Sequence, residues 1–184
     1  VKQFGLGGTG HWTPVLIGTL KNKTTHRHIL CARKAGLTLS ALAGLTIASA
    51  GKRDFTQGLL SQMLPPAQHE LLSTLKVLEV PKDIDALMAV SSGGTAAAVA
   101  SESGLERLRN TNLKQYEQLN RLATGVERLL PIVVSPGAPD AGCAALIKVL
   151  TAMGGEPEGA QRLRMLGLDG CKPVDEENLQ ELRK

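Results

Sequence analysis

The sequence predicts an all-α protein of about nine or ten short helices, packed as a compact bundle or a short α-solenoid. Three observations carry that expectation. Twenty Gly and nine Pro cut the 184-residue chain into short stretches rich in Leu and Ala. Thirty Leu stand against 17 Val plus Ile, and unbranched or γ-branched side chains lose less rotamer freedom in a helix than β-branched ones. Aromatic residues are 2% of the chain, so the core is aliphatic. The alternative is α/β with a parallel sheet, its strands at Val15-Leu16-Ile17, Leu75 to Val80 and Ile132 to Val134.

Residues 1–13, with Gly5, Gly7, Gly8 and Gly10, read as a flexible Gly-rich lead ahead of a single helical domain, 14–184. Thr13-Pro14 is a helix start, since threonine caps and proline fits the first turn. Thr24-Thr25 opens a basic helix to Ala35, stopped by Gly36. Thr38 starts a helix to Ala50, and Lys52 to Leu64 forms the next. Pro65-Pro66 breaks the chain before a helix bearing Leu71, Leu72, Leu75 and Leu78. Asp83 caps a helix through Val90, and Thr95 to Ala100 resumes it after Gly93-Gly94. The longest helix is expected over 103–130, where Leu105, Tyr116, Leu119, Ala123, Val126 and Leu130 recur at steps of three and four. Asp140 caps Ala141 to Met153, Pro157 opens a helix to Leu166, and Asp175 caps the last one.

Three stretches share a Leu-x-x-Leu helix, a break and a second short helix, beginning near Leu39, Leu71 and Ala144. The last contains Ala144-Ala145-Leu146, Gly154-Gly155, Gln161-Arg162-Leu163 and Leu166-Gly167-Leu168. Over residues 138–168 it resembles an armadillo/HEAT-type helical repeat. That resemblance implies stacked helices that act by binding another protein.

Candidate chemistry is sparse. Gly5 to His11 and Ser91 to Thr95 are Gly-rich turns of the kind whose backbone amides hold phosphate ahead of a helix. They make Gly7, Gly8, Gly10, Ser92, Gly93, Gly94 and Thr95 the candidate phosphate ligands. His26, His28 and Cys31 are close in sequence, but on a helix His26 points away from the other two, so no metal site is expected. Residues 26–44 have the outline of a helix-turn-helix, with a second helix that lacks base-reading side chains. Arg107, Arg109, Lys114, Arg121 and Arg128 form a basic stripe on the long helix and are the candidate partner-binding residues.

The expected function is therefore a protein–protein interaction or scaffold module without catalysis or cofactor. A phosphate- or nucleotide-binding enzyme domain and a DNA-binding domain are the alternatives. A net charge of +4 is too small to favour nucleic acid. Three widely spaced cysteines, no apolar run of membrane-spanning length and no signal peptide lead to the expectation of an intracellular, cytoplasmic protein with no membrane partner.

Overall fold

A computed structural model describes residues 12–33, 36–138 and 140–183. Chain contacts divide it into two compact units, His26–Glu127 and Val1–Thr25 with Arg128–Lys184. The expected Gly-rich lead falls almost wholly on residues 1–11, outside the described residues.

The all-α expectation is wrong. Ten strands are present among the described residues: β1 Trp12–Thr19, β2 Thr25–His26, β3 His28–Arg33, β4 Thr46–Ser49, β5 Lys76–Glu79, β6 Ala97–Ser101, β7 Leu119–Thr124, β8 Arg128–Leu129, β9 Ile132–Pro136 and β10 Gly170–Pro173. Eight helices accompany them: α1 Arg53–Met63, α2 Leu71–Thr74, α3 Asp83–Ser91, α4 Glu102–Thr111, α5 Leu113–Tyr116, α6 Ala141–Ala152, α7 Pro157–Met165 and α8 Glu176–Arg183. The protein is α/β. Strands occupy all three stretches named for the alternative, although β1 and β9 pair antiparallel.

Unit His26–Glu127 is built on a five-stranded sheet of order β5-β4-β6-β3-β7. Strand β4 runs parallel to β5 and β6, and β3 runs antiparallel to β6 and β7. Helices cover both faces. Leu30, Ala32, Ile47, Ala97 and Val99 pack under α1 residues Leu59, Leu60 and Met63. The alternate residues Ile29, Cys31, Ala48, Ala98 and Ala100 pack under Ala86, Leu87 and Val90 of α3 and Leu105 and Leu108 of α4. A strand buried on both faces shows no apolar/polar alternation. That is why Ala97 to Ala100, which follows Gly93-Gly94, reads as helix in sequence and is strand in the fold.

The same effect removes two further expectations. The basic helix 24–35 is β2 and β3, so the helix-turn-helix outline over 26–44 is lost. The long helix 103–130 divides at Asn112, whose backbone leaves the helical region and whose side chain caps α5, and then becomes β7 and β8. With it goes the stripe of five cations on one helix. By contrast α1, α3, α6, α7 and α8 lie within two residues of their expected starts, because each begins with a proline or acidic first-turn signal or follows a glycine stop.

The second unit holds an antiparallel sheet of order β10-β1-β9. Leu16 and Ile17 of β1 are fully buried, and Leu130, Leu163 and Leu168 form a small core with Leu20, Met153 and Cys171 against it. After β1 the chain reverses at Leu20 and Lys23, which exchange both backbone hydrogen bonds. Lys21 and Asn22 both have positive φ (52° and 62°), the type I′ pattern. The Asp169 carboxylate accepts the Lys21 N–H and, at 3.0 Å, the Thr19 hydroxyl, which holds the turn in place.

Replacing Lys21-Asn22 by Asn-Gly relieves that backbone cost and is expected to stabilise the protein by about 0.5–1 kcal/mol, read as a raised urea midpoint with an unchanged m-value. The buried Cys31 thiol gives a second expectation. Burial pushes its pKa up to about 11 from 9.0, against a smaller opposite pull from Arg121. The unfolded chain ionises this thiol first, so Cys31 contributes no pH dependence below about pH 8 and costs stability as pH rises from about 9 to about 11. The loss amounts to about 2–3 kcal/mol. Denaturation of wild type and Cys31→Ala at pH 8 and pH 11 should show the gap between them shift in the variant's favour.

Candidate functional site

The parallel strands β4, β5 and β6 end at one edge of the five-stranded sheet, and open α/β sheets bind ligands outside the carboxyl ends of such strands. Antiparallel β3 begins there, since His28 lies opposite Ser101. Two-residue steps along the strands carry the α1-side stripe to this edge: Ile47 to Ser49, Val99 to Ser101, Leu30 to His28. Ser49 is the register partner of Glu79 in β5. Polar or titratable residues thus replace aliphatic ones where the stripe leaves the core.

Helix α1 begins directly above this row. Its buried Thr56 donates to Ser49 Oγ at 2.8 Å and to the Gly51 carbonyl at 3.3 Å, and Ser49 Oγ accepts the Gly51 N–H at 3.2 Å. The strand end and the helix start are therefore one hydrogen-bonded unit. The Arg53 N–H donates to Glu79 Oε1 at 3.1 Å, which ties β5 to the same turn. Phe55 lies over Gly51, where a Cβ would come within 2.4 Å of the ring. Its ring is 5.9 Å from that of His28, and His28 is 4.7 Å edge-on from His26.

Electrostatics separate the three helix starts at this edge. The α3 start carries Asp83 and Asp85, and Asp83 is committed: its carboxylate accepts the Ser101 N–H at 2.9 Å and the Ser101 hydroxyl. The α4 start is capped by Ser101, which accepts the Gly104 N–H at 3.1 Å, and opens with Glu102. The α1 start carries two consecutive cations, Lys52 and Arg53, followed by Asp54, whereas α3 opens on the single cation Lys82 followed by two acids. A helix start favours negative charge, and adjacent cations strengthen that preference.

The second unit has a cleft of its own, about 270 Å³, between β1, β9 and the first turns of α6. Val15, Val133, Val134, Leu146 and Ile147 line it with Cys143. Asp140 at its rim accepts the Cys143 N–H at 2.8 Å as the cap of α6. The lining mixes these aliphatic side chains with polar groups, Ser135 and the Asp140 carboxylate among them, and carries no cation.

The structure scatters the residues singled out in the sequence. Gly7, Gly8 and Gly10 lie outside the described residues. Ser92, Gly93, Gly94 and Thr95 form the turn from α3 into β6, with Gly93 at φ +81°. That turn precedes a strand rather than a helix, at the amino end of β6. Arg107 and Arg109 are on α4, Lys114 on α5 and Arg121 on β7, whereas Arg128 belongs to the other unit. Arg121 pairs with Glu102 at 3.8 Å, and the Arg109 guanidinium lies 5.9 Å from the centre of the Tyr116 ring. No group of three or more metal-ligating side chains occurs among the described residues. Strand geometry also reverses the histidine argument: His26 and His28, two apart, share a side and Cys31 faces the other.

Sequence reasoning passed over Ser49, Lys52, Arg53 and Glu79. The available signal was Ser49-Ala50-Gly51-Lys52-Arg53 itself, a small-residue turn between an apolar run and an amphipathic helix. It becomes legible once Thr46 to Ser49 is recognised as strand.

Comparison with known proteins now bears on this geometry. Residues 14–179 match the sequence model of a family described as the ABC transporter, phosphonate, periplasmic substrate-binding protein. A search of curated proteins finds no sequence relative. Among solved structures, the chain is similar to the XAC2383 protein of Xanthomonas citri bound to chloride ion, at 16% identity and TM-score 0.66 over 94% of this chain and 68% of that one. It is similar to a binding protein component of an ABC phosphonate transporter from Pseudomonas aeruginosa, at 18% identity and TM-score 0.63 over 94% of this chain and 61% of that one. It is also similar to PhnD1 from Prochlorococcus marinus in complex with methylphosphonate, at 14% identity and TM-score 0.62, covering 93% of this chain and 69% of that one.

These findings overturn the armadillo/HEAT resemblance, because the similar structures are binding proteins of α/β fold and not helical repeats. They replace the scaffold function with ligand binding, and the cytoplasmic expectation with a periplasmic family. A protein partner stands, because a substrate-binding protein works with its transporter; the expectation of no membrane association does not. With the family model spanning nearly the whole described chain, this protein belongs to the phosphonate-binding family of ABC-transporter periplasmic substrate-binding proteins.

Proposed function

We propose that this chain captures a small phosphonate-class oxyanion for delivery to a membrane transporter, and that the strand-end row of unit His26–Glu127 supplies one wall of the binding site. The observation that carries the reading is the start of α1. Its first turn is fused to the strand end by Ser49 and Thr56 and bears Lys52 and Arg53. An oxyanion seated there would gain the positive end of the helix and two nearby positive charges, in a setting already fixed before ligand arrives by the bonds of the Gly51 and Arg53 amides to Ser49 and Glu79. Ser49 and Thr56 satisfy one another, so the turn keeps its shape when the site is empty.

The match to the phosphonate family and the similarity to a protein holding methylphosphonate support that ligand class. Glu79, hydrogen-bonded to the Arg53 amide, places a carboxylate at the rim of the same turn. It opposes negative charge at the turn, which Lys52 and Arg53 must outweigh for an oxyanion to bind, and it suits a neutral or cationic substituent on the ligand.

Calorimetric titration with methylphosphonate tests the reading. Charge-assisted hydrogen bonds contribute roughly 1.5–3 kcal/mol each, so Arg53→Gln should weaken binding by about 10–100-fold. Its melting temperature without ligand should stay within about 2 °C of wild type, because the side chain is exposed. Equal affinity in wild type and variant would remove α1 from the site.

A further inference from the structure

We infer that Phe55 is the specificity-determining residue of this site, an apolar wall that takes the carbon substituent of an alkylphosphonate and excludes inorganic phosphate; the inference rests on the site reading above. Phe55 is the third residue of α1, two positions after Arg53. Its ring lies against Gly51, so a ligand seated on the turn from Gly51 to Arg53 has it as a neighbour. The ring also meets that of His28 at 5.9 Å and 77°, nearly perpendicular. Gly51 follows β4, His28 begins β3, and β6 lies between those strands in the sheet. The ring therefore spans the strand-end row across the end of β6, the row that carries Ser49 and Ser101.

Core packing does not account for this ring. The buried residues of α1 are Thr56, Leu59, Leu60 and Met63, and Phe55 is not part of the aliphatic cluster under the helix. It is 49% exposed, yet Gly51 and His28 hold it, so it presents a fixed apolar surface. The neighbouring side chains of the turn and the row are polar or charged: Ser49, Lys52, Arg53, Glu79 and Ser101. Phe55 thus gives an otherwise polar edge one apolar part.

That division matches the chemistry of a phosphonate. Inorganic phosphate carries oxygen in all four directions. One of those oxygens would face the ring, lose its water and meet no donor, and an unpaired polar group of this kind is costly. An alkylphosphonate has carbon in one direction, and covering that carbon with the ring is favourable. Leaving a polar group unpaired in the wrong ligand separates two ligands more sharply than an added methylene does. Gly51 serves the same wall. Its φ lies outside the left-handed region, and an added Cβ would collide with Phe55. The missing side chain at position 51 is what lets the ring lie on the turn.

The test is calorimetric titration with inorganic phosphate, methylphosphonate and ethylphosphonate at one pH, in wild type, Phe55→Ala, Gly51→Ala and the double variant. Each variant is compared with wild type for the same ligand, so the ligand's own protonation cancels. Wild type should prefer ethylphosphonate to phosphate by about tenfold or more. Phe55→Ala should weaken methylphosphonate about 4-fold and ethylphosphonate about 15-fold, as one and two buried carbons require, and leave phosphate within about twofold. Gly51→Ala, which displaces the ring, should give the same order of losses and add nothing in the Phe55→Ala background. Phe55→Ala keeps the fold, since the ring is outside the core, and circular dichroism checks this. Losses equal for all three ligands, or no loss for any, overturn the wall and leave the site standing; so does a wild type that binds phosphate as tightly as ethylphosphonate. A wild type that binds none of the three overturns the site reading and the wall together.

Discussion

The structure of unit His26–Glu127 depends on one constraint: its central strands are buried on both faces. Ile29, Leu30, Cys31 and Ala32 are all at 0% exposure, and Ala97 to Ala100 are at 1% or less. Each strand sends alternate residues into two separate aliphatic clusters, one under α1 and one under α3 and α4. Small side chains on β6 let helices approach from both sides, and close packing of this kind leaves little room for change in volume. The sheet is therefore rigid where its parallel strands end.

That rigidity gives the edge its chemistry. The aliphatic stripe under α1 gives way within one two-residue step to Ser49, Ser101 and His28. Because the strands cannot slide without moving buried residues to the wrong face, these polar groups hold fixed spacings. Ser49 and Thr56 then carry the order of the strand into the helix, so the cations of α1 stand on a preset turn. A binding protein with an ordered wall pays less conformational entropy when ligand arrives.

The parts of the fold legible in sequence were those with local punctuation. Helix α6 follows its Asp140 cap, α7 begins at Pro157, α3 at Asp83, and α1 after Gly51. The strands were not legible for a specific reason. Ala97-Ala98-Val99-Ala100 and Ile29-Leu30-Cys31-Ala32 lack the polar alternation that marks a half-exposed strand. Alanine prefers helix locally, and tertiary burial outweighs that preference. At the site, the histidines were noticed but given helical spacing, which placed His28 with Cys31. In the strand, His28 faces His26 instead.

The sequence by itself determined the aliphatic core, the helix starts at Asp83, Asp140 and Pro157, and the modest positive charge, since each of these depends on composition or on residues a few positions apart. Only the tertiary structure decided that the chain is α/β, which strand ends adjoin, and that Ser49, Glu79, Ser101 and the two histidines share one edge. Those residues are up to 75 positions apart, as from His26 to Ser101. Their meeting rests on long-range pairing between buried strands, which no local propensity encodes.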